Sequence, residues 1–87
     1  MHLAAFNFMI LLSEMPNHSP ALVSEVLPGK LSSRLVEMGI FKGAVVEVLF
    51  RAPFGGPIAV DLGSSVVSLR MDEAALVQVE LRKEAAE

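Results

Sequence analysis

Cysteine is absent from this 87-residue chain, which excludes any disulfide, thiolate-bound metal or iron–sulfur cluster. A thiol-free chain also suits a reducing compartment, so a cytoplasmic location is expected. Histidine is nearly as scarce, with only His2 and His18 present. A ferrous site needs imidazole and carboxylates side by side, and the one local grouping on offer is His18 with Glu14 or Glu25. A solvated turn histidine is the expected reading there, so no metal ligand and no cofactor are assigned. Basic charge is short as well: seven Lys and Arg stand against ten Asp and Glu, for a net charge of −3. Nucleic-acid modules concentrate positive charge in a patch that releases counterions. Here Lys30, Arg34, Lys42, Arg51, Arg70, Arg82 and Lys83 are scattered along the chain, and nucleic-acid binding is not expected.

A long apolar run is missing too, although 53% of the residues are hydrophobic. The longest largely apolar stretch, Leu3 to Leu12, is interrupted by Asn7, and a spanning helix needs about 20 such residues. No positive charge opens it and Ser13-Glu14-Met15-Pro16 is a poor cleavage site, so a secretory signal is not expected either. None of the six glycines falls in a phosphate-binding G-x-x-x-x-G-K-[ST] loop. Ser32 and Ser33 have no histidine or cysteine near them in sequence and read as helix-start or helix-surface residues. Met9, Met15, Met38 and Met71 read as core filler rather than soft-metal ligands. Nothing in this inventory gathers the acid, base and nucleophile of an enzyme.

What is present is mostly strand and turn. Met1 to Leu12 is an apolar leader that fits a short helix as well as a strand. Glu14 to Pro20, with two prolines, is a turn region. Ala21 to Leu27 alternates as a strand. From Lys30 to Met38 the period lengthens to about 3.6, with Leu31, Leu35 and Met38 on one stripe and Arg34 and Glu37 toward water. Gly39 supplies a left-handed stop on which Ile40 folds back. Strands follow at Ala44 to Arg51, with Val46, Val48 and Phe50 sharing a face, and at Ile58 to Leu62, with Ile58, Val60 and Leu62 inward and Ala59 and Asp61 outward. The loop Ala52 to Pro57 joins these two. Gly63-Ser64-Ser65 leads to a strand at Val66 to Leu69. One helical turn at Asp72 to Ala75, capped by Asp72, precedes a last strand at Leu76 to Leu81. Lys83 to Glu87 is a polar tail expected to fray. Strands without crossover helices cannot make a parallel sheet, and closure hides edges that would otherwise aggregate. The expected fold is therefore mainly β: a small barrel of about five strands with one short helix.

The order of five segments resembles the ferrous iron transport protein A (FeoA) family. These are Leu12-Ser13-Glu14-Met15-Pro16, the helix and stop Arg34-Leu35-Val36-Glu37-Met38-Gly39-Ile40, Lys42-Gly43-Ala44-Val45-Val46-Glu47-Val48, the loop Arg51 to Ile58, and Val67-Ser68-Leu69-Arg70 with Glu73 to Val77. The likeness covers about residues 10–81. The chain departs from the family in its leader and at Asn17-His18-Ser19-Pro20, where a Pro-Gly turn is more usual. The resemblance implies an SH3-like barrel at residues 10–82, between an apolar extension at 1–9 and the tail at 83–87. It also implies a non-enzymatic accessory of ferrous iron uptake, acting beside a membrane iron permease with a GTP-binding domain. The alternative is a stand-alone metal-sensing or corepressor domain, related to the C-terminal barrel of iron-dependent repressors. A sensor must carry ligands, so the accessory reading is preferred.

Two expectations about surfaces follow. The leader, rich in Leu3, Phe6 and Phe8, should pack on the barrel or, by preference, on a second copy of the chain as a homo-oligomer. At the tip of the Ala52 to Pro57 loop, Phe54 either folds back over the barrel's end or stands out as a partner anchor with Arg51 beside it. If Phe54 folds back, the docking face moves to the helix around Arg34 and Glu37.

Overall fold

The computed structural model describes the backbone of residues 4–85 and the side chains of residues 8–81. Six strands form one antiparallel sheet: β1 Ala4–Leu11, β2 Pro20–Val26, β3 Val45–Arg51, β4 Ile58–Asp61, β5 Val66–Leu69 and β6 Val77–Ala85. Their order across the sheet is β1-β6-β2-β3-β4-β5. A 3₁₀ turn at Leu12–Glu14 follows β1; α1 is Ser32–Glu37 and α2 is Met71–Ala74.

The expected barrel of about five strands is corrected in two ways. The leader is itself a strand, giving six, and it pairs with β6 of its own chain from Ala4↔Ala85 to Leu11↔Gln78 without a break in register. Its first three residues lie outside the described ones. The sheet is also open, since β1 and β5 stand at its two ends and do not pair with each other. The 3₁₀ turn packs on α2 and β6 instead, so Leu12, Met15 and Ala74 help to fill the core. At the other end of the chain, β6 continues through Ala85, paired with β1, and residues 86 and 87 lie outside the description.

The core is aliphatic. Leu12, Leu35, Ile40, Val46, Val48, Val60, Leu69, Val77 and Val79 are wholly buried. The side-chain alternation of β3 fails once. Val46 and Val48 are buried as expected, but Phe50 is 59% exposed. The β3–β4 register shifts between Val48 and Phe50, and an extra residue in one strand turns every later side chain to the opposite face. Across the ladder Ala59, expected outward, is also buried, so Ile58, Ala59 and Val60 are buried in succession.

The helix ends as its sequence predicts. Gly39 has φ +101°; its N–H donates to the Val36 carbonyl at 3.0 Å, and the Ile40 N–H donates to the Leu35 carbonyl at 2.9 Å. Those two bonds, with Ile40 and Leu35 both buried, are the Schellman pattern. At α2 the cap differs from expectation. Arg70, not Asp72, is the N-cap residue, and the Glu73 carboxylate accepts the Arg70 N–H at 2.9 Å. An acid at the third helical position reaches back to the cap's orphan donor, half of a capping box.

Candidate functional site

The loop between β3 and β4 is the most exposed apolar feature of the described chain. It is held at its base, where the Ala52 N–H donates to the Pro57 carbonyl at 2.9 Å, and again inside, where the Gly56 N–H donates to the Pro53 carbonyl at 3.2 Å. The two central residues of that inner turn, Phe54 and Gly55, have φ of +60° and +70°. Positive φ at both central positions is the mark of a type I′ turn, where Asn-Gly or Gly-Gly is usual. Phenylalanine is a costly occupant of this backbone region. Gly56 is required for space: a Cβ there would sit 2.8 Å from that of Ala52. On this turn the Phe54 ring is wholly exposed, at 102%. The reading in which it folds back over the core is therefore set aside.

Arg51 sits at the foot of the loop but is not a free contact. Its guanidinium donates to the Ser13 carbonyl at 2.8 Å and to the Met15 carbonyl. It thereby ties the end of β3 to the chain around the 3₁₀ turn, and its five-donor fork suits two carbonyls at once. These bonds steady the base from which Phe54 projects.

Arg34 and Glu37 lie on α1, away from this loop in sequence, and both are exposed. Arg34 is engaged: its Nε lies 3.5 Å from Oε2 of Glu73, with the arginine side chain 58% and the glutamate side chain 3% exposed. This joins α1 to α2. The sequence reading missed Glu73 as a structural residue. The signal was present in the spacing from Arg70 to Glu73, cap to third position.

His18 is exposed and has φ +64°, and its N–H donates to the Val48 carbonyl at 2.7 Å; it shapes the turn before β2. Among the described residues no three His, Cys, Asp or Glu side chains converge as they would around a metal ion, and His2 lies outside them. A depression of about 270 Å³ is lined by Pro20, Val45, Val46, Glu47, Asp61, Leu62 and Gly63. This lies just below the usual range for small-molecule sites. No helix among the described residues is long and apolar enough to cross a membrane.

Residues 10–81 match the model of the FeoA domain family. The chain belongs to that family. It is a family of ferrous iron transport, and the solved FeoA structures agree with the assignment. An iron uptake regulatory protein, FeoA, is 31% identical over 85% of this chain and 99% of its own, with a TM-score of 0.78. Iron(II) transport protein A from Clostridium thermocellum is 34% identical over 83% of this chain and 45% of its own, with a TM-score of 0.76. FeoA from Stenotrophomonas maltophilia, a prokaryotic SH3 domain protein solved with zinc, is 35% identical over 80% and 88%, with a TM-score of 0.71. A manganese-dependent transcriptional repressor shares the fold alone, at 22% identity and a TM-score of 0.75 over 82% of this chain and 40% of its own. No curated protein sequence matches the chain. The FeoA match begins at Ile10, so most of β1 precedes it.

Proposed function

We propose that this FeoA-family chain is a small, non-enzymatic, cytoplasmic accessory of ferrous iron uptake. It acts by docking on a membrane iron permease that carries a GTP-binding domain. The observation that supports docking, beyond family membership, is Phe54: an aromatic ring held fully exposed on a backbone conformation that suits glycine or asparagine. Folding stability alone would select against that residue. A ring needed by a partner explains it, since aromatic side chains are frequent energetic centres of interfaces. The Arg51 bonds hold the loop's base before binding, so less freedom is lost on docking.

The test separates stability from uptake in one residue. Phe54→Asn should raise the melting temperature of the isolated protein slightly, by roughly 0.5–1 kcal/mol of stability, because asparagine accepts positive φ. The same variant, and Phe54→Ala, should impair iron uptake when they replace the native chain in cells. Full uptake in both variants would overturn the docking role of this loop, and the exposed face of α1 at Arg34 and Glu37 would be next. The stand-alone metal-sensor alternative draws on the fold shared with the repressor. Anaerobic calorimetry that found one-to-one ferrous binding at micromolar concentration would favour it.

A further inference from the structure

The outer edge of β1 pairs with no strand among the described residues. Such an edge presents a row of backbone N–H and C=O groups to solvent, and proteins blunt edges with charge, proline, a bulge or brevity. The opposite edge, β5, is blunted by brevity, at four residues. β1 has none of these defences. It is eight residues long, its sequence Ala-Ala-Phe-Asn-Phe-Met-Ile-Leu holds no charge and no proline, and its register with β6 is unbroken. Its inner half, from Phe8 to Leu11, lies opposite Leu81 to Gln78, whereas its outer half lies opposite residues 82–85. β2 reaches only as far as Glu80 on β6. Beyond that point β1 and β6 run on as a two-stranded ribbon, a form that is marginal in water without a third strand.

We infer that a second copy of this chain supplies that strand, with β1 pairing antiparallel to β1 about a twofold axis. Three features of the strand favour its own copy as occupant. An edge meeting itself antiparallel closes a dimer and leaves no further edge of the same kind, so assembly stops at two. Because β1 is uncharged, self-pairing sets no like charges opposite one another. Met9, 53% exposed, and Phe8, 38% exposed, would gain cover. The two six-stranded sheets then become one continuous sheet with both ribbons in its middle. Residues 4–9 of this strand precede the family match, so the dimer belongs to this chain's extension and stands independently of the docking role of Phe54.

The test uses the full chain and two charge substitutions. Sedimentation should give a dimer, twice the 9.3 kDa of one chain, at micromolar concentrations. Met9→Lys should give a monomer, because a lysine on an edge strand opposes its pairing with another chain. Within its own chain that lysine lies opposite Glu80, so the fold should be retained, as circular dichroism would show. Val66→Lys, on the exposed face of the other edge strand, should leave the dimer intact. Amide exchange offers a second reading that needs no variant: β1 amides of the native chain should gain protection as concentration rises. A native chain that sediments as a monomer throughout, a dimer that survives Met9→Lys, or one abolished by Val66→Lys would each overturn the proposal.

Discussion

Glu73 is buried to within 2%, and its two carboxylate oxygens have unequal tasks. Oε1 takes the Arg70 N–H at 2.9 Å, while Oε2 faces the Arg34 Nε at 3.5 Å. The first contact satisfies a backbone donor that has no partner within the helix. The second ends on an arginine that is more than half exposed, where water screens the attraction and such pairs contribute little. The two contributions can be separated. Glu73→Gln keeps a carbonyl oxygen for the cap and gives up only the ion pair, so it should cost less than about 1 kcal/mol. Glu73→Ala strands the Arg70 N–H and removes buried atoms, and should cost about 2–3 kcal/mol. Urea denaturation of both variants measures the difference. Equal losses would mean that the bridge between the helices, rather than the cap, is what matters.

Among the elements, α1 is the one most plainly written in its residues. A six-residue helix is too short to persist on propensity; packing of Leu35 and the stop at Gly39 define it. Gly39→Ala should cost about 1 kcal/mol or more, because φ of +101° opposes any Cβ. Space is not the obstacle, since the nearest atom to that Cβ would be Leu62 Cδ1 at an ordinary 3.4 Å. An unchanged melting temperature would mean that the last turn rearranges without loss. The same stretch, from Arg34 to Ile40, also carried the family likeness, because a period of 3.6 and a left-handed stop are local signals. The four strands β2 to β5 were legible for the same reason, each bounded to within one residue, whereas β6 runs four residues past its expected end at Leu81. What stayed hidden depends on the partner strand. The register shift beside Leu49 turns Phe50 outward, and no residue type in β3 announces it. The leader fitted helix or strand equally until β6 was placed beside it. At the site, the exposure of Phe54 was one of two readings, and nothing near Arg51 in sequence pointed to carbonyls at Ser13 and Met15.

At the scale of the molecule, the sheet order sets β6, last in the chain, between β1 and β2, so the described chain's two ends meet: Ala4 lies opposite Ala85. The β3, β4 and β5 strands, in contrast, join neighbours, with Arg51 opposite Ile58 and Asp61 opposite Val66. Closing a short loop costs less chain entropy than closing a long one, and contacts between distant residues slow folding. The order of events should follow: the β3–β4–β5 meander belongs to the nucleus, and the terminal pair is added after the barrier. A change that weakens β1, such as Ile10→Ala, should then speed unfolding several-fold and leave the folding rate nearly untouched, whereas Val60→Ala in the meander should slow folding. Stopped-flow chevrons at low protein concentration would show it, and the reverse assignment would place the chain's ends in the nucleus. The strand laid down last would be the same one that carries the unguarded edge, so for an interval after crossing the barrier each molecule would have β6 exposed with no neighbour on that side. In that interval another chain's β1 could take the place of its own, and two chains that exchanged first strands would be a different assembly from two that merely touch.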